Sequence, residues 1–530
     1  MASVETWLRR QASERPVLLL IVWAAALLAI NAPSQSFLAH DEGYYVQQAR
    51  VVVATGDWVT QHWFGGLTYD RAMGIVWLIA VSQKIFGFSE IASRLPVMLS
   101  SLGAVLLTYS IGRRLVSKLA ALAGAAILAV TPIWMQASKL AHQDVPLAFC
   151  ALLAIWALLR AEESSRKFTW GLVAGAAFSA GFAIKSFMII PIVAALAPYV
   201  LWEHRRHRHL FNPGLYVGAV VGMAPVIIWL AASYDLYGSF PIETQIGKLI
   251  FLAGKDFHDA GPFYYLWNIP ATAFPWPLFA LAGAVIVARS DMGRKTLLLG
   301  FPLLLLVELT LFKTRTWYYA LQLYPMLSLL AGVALVALAR EYSAGGSRWP
   351  QRIATLFGML GALLIVAAGL VYFDVIAVGS DRTRLSLVGL LGGLGLLAPF
   401  ALLHADQLRK SAATFGGAFL AGPFLAIAAL FATGLWGNYD PKFKEYLREP
   451  AIAALAHNHA DDTYVIGYSS SGKDRGMIAL YSPGIVKSLD SAGSAQSGSL
   501  IWAHETRISE FDIDPDTTTH FGEWYLFETK

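Results

Sequence analysis

Charge is scarce in this sequence: only 14% of its 530 residues are Asp, Glu, Lys or Arg, and 56% are hydrophobic. Soluble globular chains carry about 25% charged residues, so an ordinary soluble core is excluded. Cysteine is nearly absent as well. The lone Cys150 lies in an apolar run, which rules out an intrachain disulfide, a thiolate zinc site and a CxxC redox centre. A Gly-rich phosphate loop and a Gly-x-Ser-x-Gly elbow are missing. Energy must then come from an activated substrate or a gradient. No repeat of roughly 20–50 residues is visible. The first apolar segment lacks a small-residue cleavage site, and more apolar runs follow it, so it is expected to be retained.

What is present is a long series of apolar runs. Segments of about 17–25 residues, enough to cross a bilayer, lie near 16–37, 94–112, 119–136, 145–160, 168–184, 186–202 and 213–232. Others lie near 263–288, 296–312, 317–339, 352–376, 385–403 and 412–436. That predicts an all-α polytopic membrane protein with thirteen spans. The stretch 72–86 is apolar but short and carries Gln83 and Lys84. If it does not span, and the N-terminus is cytoplasmic, the basic loops around Arg113, Arg166, Arg208, Arg294, Arg348 and Arg409 all face the cytoplasm. This is the positive-inside pattern. If 72–86 spans, every later loop inverts and the pattern is lost.

The same parity places residues 437–530 outside the cytoplasm. That segment carries 8 Lys/Arg and 14 Asp/Glu, against a net charge of +5 for the chain. It is expected to form a small α/β unit, with a strand near Thr463–Tyr468 and a core from Trp502, Phe511, Trp524, Tyr525 and Phe527. Residues 1–436 form the membrane part, with a long first outside loop over about 38–93.

Polar residues on the outer face gather in a few loops. The first holds His40-Asp41-Glu42 and Tyr69-Asp70-Arg71; acids at the mouth of a span are hydrated, paired or functional, or cap a helix. The second holds Asp144 just before Pro146, where starting a helix is the alternative role. Two carboxylates on one face can share a metal or divide acid/base work. Lys185 lies on the same side, where it can also simply snorkel. A loop of about thirty residues, 233–262, contains Lys248 and His258 and has the length of a lid or binding element. Lys313-Thr-Arg315-Thr-Trp317-Tyr318-Tyr319 is the strongly basic exception outside. A bound phosphate would supply its counter-charge; lipid headgroups or the acidic tail are the passive alternative.

In order, Asp41-Glu42, Tyr45, Ala49-Arg50, Gly56-Asp57-Trp58, Tyr69-Asp70-Arg71, Phe86-Gly87, Arg94-Leu-Pro96 and Gly112-Arg-Arg114 form a pattern. With Asp144-Val-Pro146, Lys185, Pro262-Phe-Tyr264-Tyr265, Pro275-Trp276 and Lys313 to Pro325, it resembles membrane-embedded GT-C glycosyltransferases that use a polyprenyl-phosphate sugar. The lipid A aminoarabinose transferases and the protein O-mannosyltransferase superfamily are the nearest in look, over roughly residues 16 to 340. The resemblance implies thirteen spans, an extracytoplasmic C-terminal unit and catalytic acids at Asp41 and Asp144. It places Arg71 where the family has a carrier-binding lysine in Glu-Lys-Pro-Pro; here the text is Asp70-Arg71-Ala72-Met73.

The expected function is an inverting, extracytoplasmic transfer of a sugar from a polyprenyl phosphate to a lipid, glycan or protein acceptor in a bacterial inner membrane. Asp41 and Asp144 are the candidate catalytic residues. Glu42, Tyr45, Tyr69, Arg71, Lys185, His258, Lys313, Arg315, Tyr318 and Tyr319 are the candidate substrate contacts, and a divalent cation is a possible cofactor. A transporter or flippase of a lipid-linked sugar is the alternative from another class, although such carriers usually show paired repeats. A structural membrane subunit is the third.

Overall fold

A computed structural model describes residues 14–529 apart from 40, 70, 204–205, 239–240, 257–258, 346, 406–411, 468–471 and 516–517. The side chains of residues 41, 206, 207, 412, 413 and 472 also lie outside the described set. The chain is predominantly helical. Among the described residues, eight helices are long and apolar enough to cross a membrane, or ten when each of two bent pairs counts as one span. The difference from thirteen has three sources. Pro16–Ala29 and Thr296–Leu311 are apolar but shorter than that length criterion, and 168–202 forms one run, Lys167–Trp202. A 3-10 turn at Ser186–Met188 interrupts that run. The stretch expected to lie outside the spans is a 13-residue helix, Gly74–Phe86.

Local sequence explains where the helices start and how closely they approach. Ser89 caps Glu90–Leu115 by accepting from the Ala92 amide at 3.2 Å. Pro213 opens Pro213–Tyr237, with Asn212 accepting from the Gly214 amide at 3.0 Å. Small residues then set the spacing. A Cβ on Gly175 would lie 2.0 Å from the Leu215 carbonyl oxygen, and one on Gly218 would lie 2.0 Å from that of Leu172. In lipid, where burial offers no hydrophobic drive, such close backbone contact is a main source of helix association.

Residues 463–528 carry a mixed five-stranded sheet in the order β4-β3-β5-β7-β6. Its strands are β3 Thr463–Ile466, β4 Lys487–Ser488, β5 Leu500–His504, β6 Thr519–Phe521 and β7 Trp524–Glu528. β3 runs parallel to β4 and β5, and β7 is antiparallel to β5 and β6. Trp502 and Trp524 are buried with Val465 and Leu526 on one face. Phe527 is buried on the other, packed by the half-buried Phe511 and Tyr525.

This sheet region docks on the first loop. The β1–β2 hairpin, Gln61–Trp63 and Gly66–Thr68, turns through Phe64 and Gly65 at φ 50° and 78°. Positive φ at both central positions matches the hairpin's twist. At that turn, the Ser488 amide donates to the Phe64 carbonyl at 2.9 Å. Arg50, on the helix Asp41–Thr55, donates to the Ala479 and Leu480 carbonyls at 3.2 and 3.3 Å. Glu90 accepts from Lys444 at 2.6 Å and Arg448 at 2.8 Å.

Candidate functional site

The helices Asp144–Glu163 and Lys167–Lys185 form an antiparallel hairpin, joined by a short turn. The first turn of one and the last turn of the other must therefore meet at the same end. An acid is favoured at the first position and a base at the second by the helix dipoles. Asp144 and Lys185 occupy them. The Lys185 ammonium donates to Asp144 Oδ1 at 2.5 Å, and both side chains are largely buried. His142 adds a second partner: its Nδ1 lies 3.5 Å from Asp144 Oδ2 and accepts from the Asp144 amide at 3.0 Å. Helix start and charge partner are thus one role for Asp144.

These residues border a cavity of about 490 Å³, within the usual range for a small-molecule site, about 300–1,000 Å³. Tyr45 and Arg71 enter it from the first loop, Lys185 and Ser186 from the interrupted helix, and Thr316 to Tyr319 from the basic loop. Arg71 is held from several sides. Its Nη1 donates to the Tyr45 hydroxyl at 2.5 Å, and its guanidinium lies 4.3 Å from the centre of the Tyr44 ring. Its carbonyl accepts from Gln61 at 3.1 Å and Gln245 at 3.2 Å. Lys185 lies 4.9 and 5.0 Å from the ring centres of Tyr318 and Tyr319. Ser186 has φ 49° and ψ −133°, a conformation costly for a residue with a Cβ and kept where neighbours enforce it.

Several expected residues stand elsewhere. Glu42 is fully buried away from the cavity. It binds Arg94 through both oxygens at 2.7 Å and accepts from the Leu38 and Ala141 amides. With those sites filled it acts as a joint of the fold, apart from the cavity lining. Arg315 also misses the cavity. It donates to the carbonyls of Thr310 at 2.9 Å and Lys313 at 3.1 Å, with Asp256 at 3.7 Å. Lys313 does not line the cavity either, its amide donating to the Ala253 carbonyl at 3.3 Å. Tyr69 packs on Tyr237, ring centres 5.0 Å apart. His258 and the Asp41 side chain lie outside the described residues; Asp41 is the first residue of its helix.

The long loop 233–262 contributes what the sequence reading missed. Pro241–Gly254 is a helix, and Gln245, Lys248, Leu249, Phe251 and Leu252 on it line the cavity. The signal was present: polar Gln245 and Lys248 are three apart on one helix face, followed by apolar Phe251 and Leu252. The basic loop is stitched to its C-terminal end, with the Thr314 amide donating to the Leu252 carbonyl at 3.1 Å.

Among the described charged side chains lining the cavity, Arg71, Lys185 and Lys248 face one carboxylate, Asp144. No group of three His, Cys, Asp or Glu residues that could hold a metal ion occurs among the described residues. Asp144 already has an ammonium partner, so the described residues do not fit a divalent cation site. Away from the cavity lining, on the helix Asp41–Thr55, burial pulls the Arg50 guanidinium down to about 10.

The family described as dolichyl-phosphate-mannose-protein mannosyltransferase matches over residues 70–231. An undecaprenyl phosphate-alpha-4-amino-4-deoxy-L-arabinose arabinosyl transferase of Pseudomonas fluorescens is 28% identical over 345 residues, 62% of this chain and 60% of that protein. One from Pseudomonas aeruginosa is 27% identical over 348 residues, 63% of this chain and 61% of that protein. The chain thus spans about three fifths of these relatives. ArnT from Cupriavidus metallidurans bound to undecaprenyl phosphate superposes with a TM-score of 0.76 at 16% identity, covering 96% of this chain and 97% of that one. The Archaeoglobus fulgidus oligosaccharyltransferase gives 0.51 at 13% identity, covering 89% and 64%. The chain has the fold of these membrane glycosyltransferases and resembles the aminoarabinose transferases in sequence.

Proposed function

We propose that this chain is an inverting glycosyltransferase that takes a sugar from undecaprenyl phosphate, or a related polyprenyl phosphate, to a lipid, glycan or protein acceptor. The observation that carries the reading is the cavity. It brings together a surplus of cations around an already paired acid, beside an apolar wall that includes Phe187, Met188, Phe251 and Leu252. A phosphate on an isoprenoid tail needs that combination. Arg71 and Lys248 supply the counter-charge, while the wall accepts the first tail carbons. Carrier phosphate clamped by Lys313 and Arg315 is replaced by this pair.

The chemistry follows from those placements. An acceptor oxygen attacks the anomeric carbon as the bond from that carbon to the phosphate oxygen breaks, and the electron pair leaves with the phosphate. Charge grows on the leaving oxygens, so fixed cations beside them lower the barrier. Asp41, at the head of its helix, takes the acceptor proton; where the acceptor is itself a phosphate, it only positions. Lys185 holds Asp144 in one orientation to receive sugar or acceptor hydroxyls.

The same reading sets the protein in the bacterial inner membrane with thirteen spans, its N-terminus cytoplasmic, and its site and residues 437–530 on the outer face. In support, the sheet region docks on the first loop, so the two share a side. The test uses purified protein in detergent with a polyprenyl-phosphate sugar, measuring free polyprenyl phosphate. Release that depends on acceptor and is lost in Asp41→Asn is expected. Carrier bound without any release would favour the flippase alternative.

A further inference from the structure

The helix Asp41–Thr55 has two working faces. Tyr44 and Tyr45 lie on one, where Arg71 donates to the Tyr45 hydroxyl at 2.5 Å and sits 4.3 Å from the Tyr44 ring centre. Gly43 and Arg50, two turns apart, share the roughly opposite face. That face meets the helix Gly472–Tyr481 of the sheet region. A Cβ on Gly43 would lie 3.2 Å from Leu480 Cδ1, and one on Gly476 would lie 3.0 Å from the Ala39 carbonyl oxygen. The packing is tight at both points.

Arg50 binds the two helices together. Its half-buried guanidinium donates to the Ala479 and Leu480 carbonyls at 3.2 and 3.3 Å, and to the Pro483 carbonyl. Ala479 and Leu480 belong to the last turn of Gly472–Tyr481, whose carbonyls have no partner within the helix and mark its negative end. Among the described residues no carboxylate offsets the Arg50 charge. The hairpin gives a second route to the tyrosine pair. Trp63 lies 4.9 Å from Tyr44 between ring centres, and Thr68 pairs with the Tyr44 hydroxyl at 3.1 Å, while the turn at Phe64 accepts from the Ser488 amide. None of Gly43, Arg50, Leu480 and Ser488 lines the cavity.

We infer that the sheet region holds the cavity in its carrier-binding shape, and that Arg50 is the positioning residue through which it acts. This rests on the glycosyltransferase reading and deepens it, making docking of the sheet region and formation of the carrier site one equilibrium. Arg50 fixes the helix, the helix fixes Tyr44 and Tyr45, and the two rings fix the Arg71 guanidinium that meets the phosphate. A carrier that prefers the docked form must, by linkage, tighten the docking in return.

The probe is bare undecaprenyl phosphate, titrated into the whole chain in detergent. Arg50→Met is expected to weaken its binding about tenfold, as when the competent fraction falls to roughly one tenth. Arg50→Lys keeps a donor for the carbonyls and should recover part of the loss. In an Arg71→Ala background, Arg50→Met should cost little more, because the two changes act on one contact. Unaltered affinity in Arg50→Met, or losses that simply add, would overturn the inference. The unaltered protein decides even where Arg50→Met does not fold. Its hydrogen exchange in residues 472–481 should slow several-fold on saturation with undecaprenyl phosphate, and unchanged exchange would also overturn the inference. Failure of undecaprenyl phosphate to bind the unaltered protein would instead sink the glycosyltransferase reading.

Discussion

Arg94 and Arg71 share a residue type and little else. Arg94 is fully buried and spends its guanidinium on Glu42 and on the Gln35 and Ser36 carbonyls. Removing one member of such a pair leaves a buried charge uncompensated, a loss of about 3–5 kcal/mol. Glu42→Ala should therefore lower thermal stability and expression sharply, whatever ligand is present. A variant that melts like the parent protein would show the pair to be dispensable. Arg71 faces the cavity, held by Tyr44 and Tyr45. Arg71→Ala should weaken carrier binding by about 1.5–3 kcal/mol, roughly ten- to a hundredfold, with little change in melting. Carrier titration checks this, and unaltered affinity would move the phosphate site elsewhere. The sequence distinguishes these two arginines poorly. Asp144 and Lys185 were legible because helix parity brings the ends of a hairpin together. The place of Glu42 and Arg315 away from the cavity was not legible, because their partners, Arg94 and the Thr310 carbonyl, depend on how segments cross, which pattern alone does not specify.

At the level of elements, the spans follow from composition, and their packing from small residues. The contact between Lys167–Lys185 and Pro213–Tyr237 has no room for a side chain at Gly175 or Gly218. Gly218→Leu should force these helices apart, displacing Lys185, at the end of Lys167–Lys185, from Asp144. The expected outcome is a destabilised protein with lost turnover; Gly247→Ala, where nothing lies within 4 Å, is the control that should keep both. A Gly218→Leu protein with normal melting and activity would contradict the packing argument. The lid-like helix Pro241–Gly254 was anticipated only as a long loop. Its amphipathic face is built against the cavity and the basic loop, and neither neighbour is adjacent in sequence.

For the molecule as a whole, charge asymmetry was the most readable property, because the positive-inside pattern is a sum over many loops. The inferred topology predicts that a cysteine at the exposed Ser497 will react with an impermeant thiol reagent in intact cells. One at the exposed Ser165, in the loop after Glu163, will react only after permeabilisation; the buried native Cys150 contributes little background. The reverse labelling pattern would invert the molecule and put the cavity on the wrong side. The small α/β unit was expected from the strand-like stretch near Thr463–Tyr468 and from Trp502, Phe511, Trp524, Tyr525 and Phe527 as a core. Its docking on the first loop was not, because the partners are separated by more than half the chain.

That docking has a consequence for when the protein can work. Arg50, near the beginning of the chain, finds its carbonyl partners at Ala479 and Leu480, and β7 closes the sheet only at Trp524–Glu528. During synthesis the first loop emerges long before these residues leave the ribosome. Until residues 479 and 480 have been made, the helix Asp41–Thr55 lacks the carbonyl partners of its Arg50. Under the proposed function, the helix that bears Asp41 therefore gains its support only after the strands of the sheet have been made.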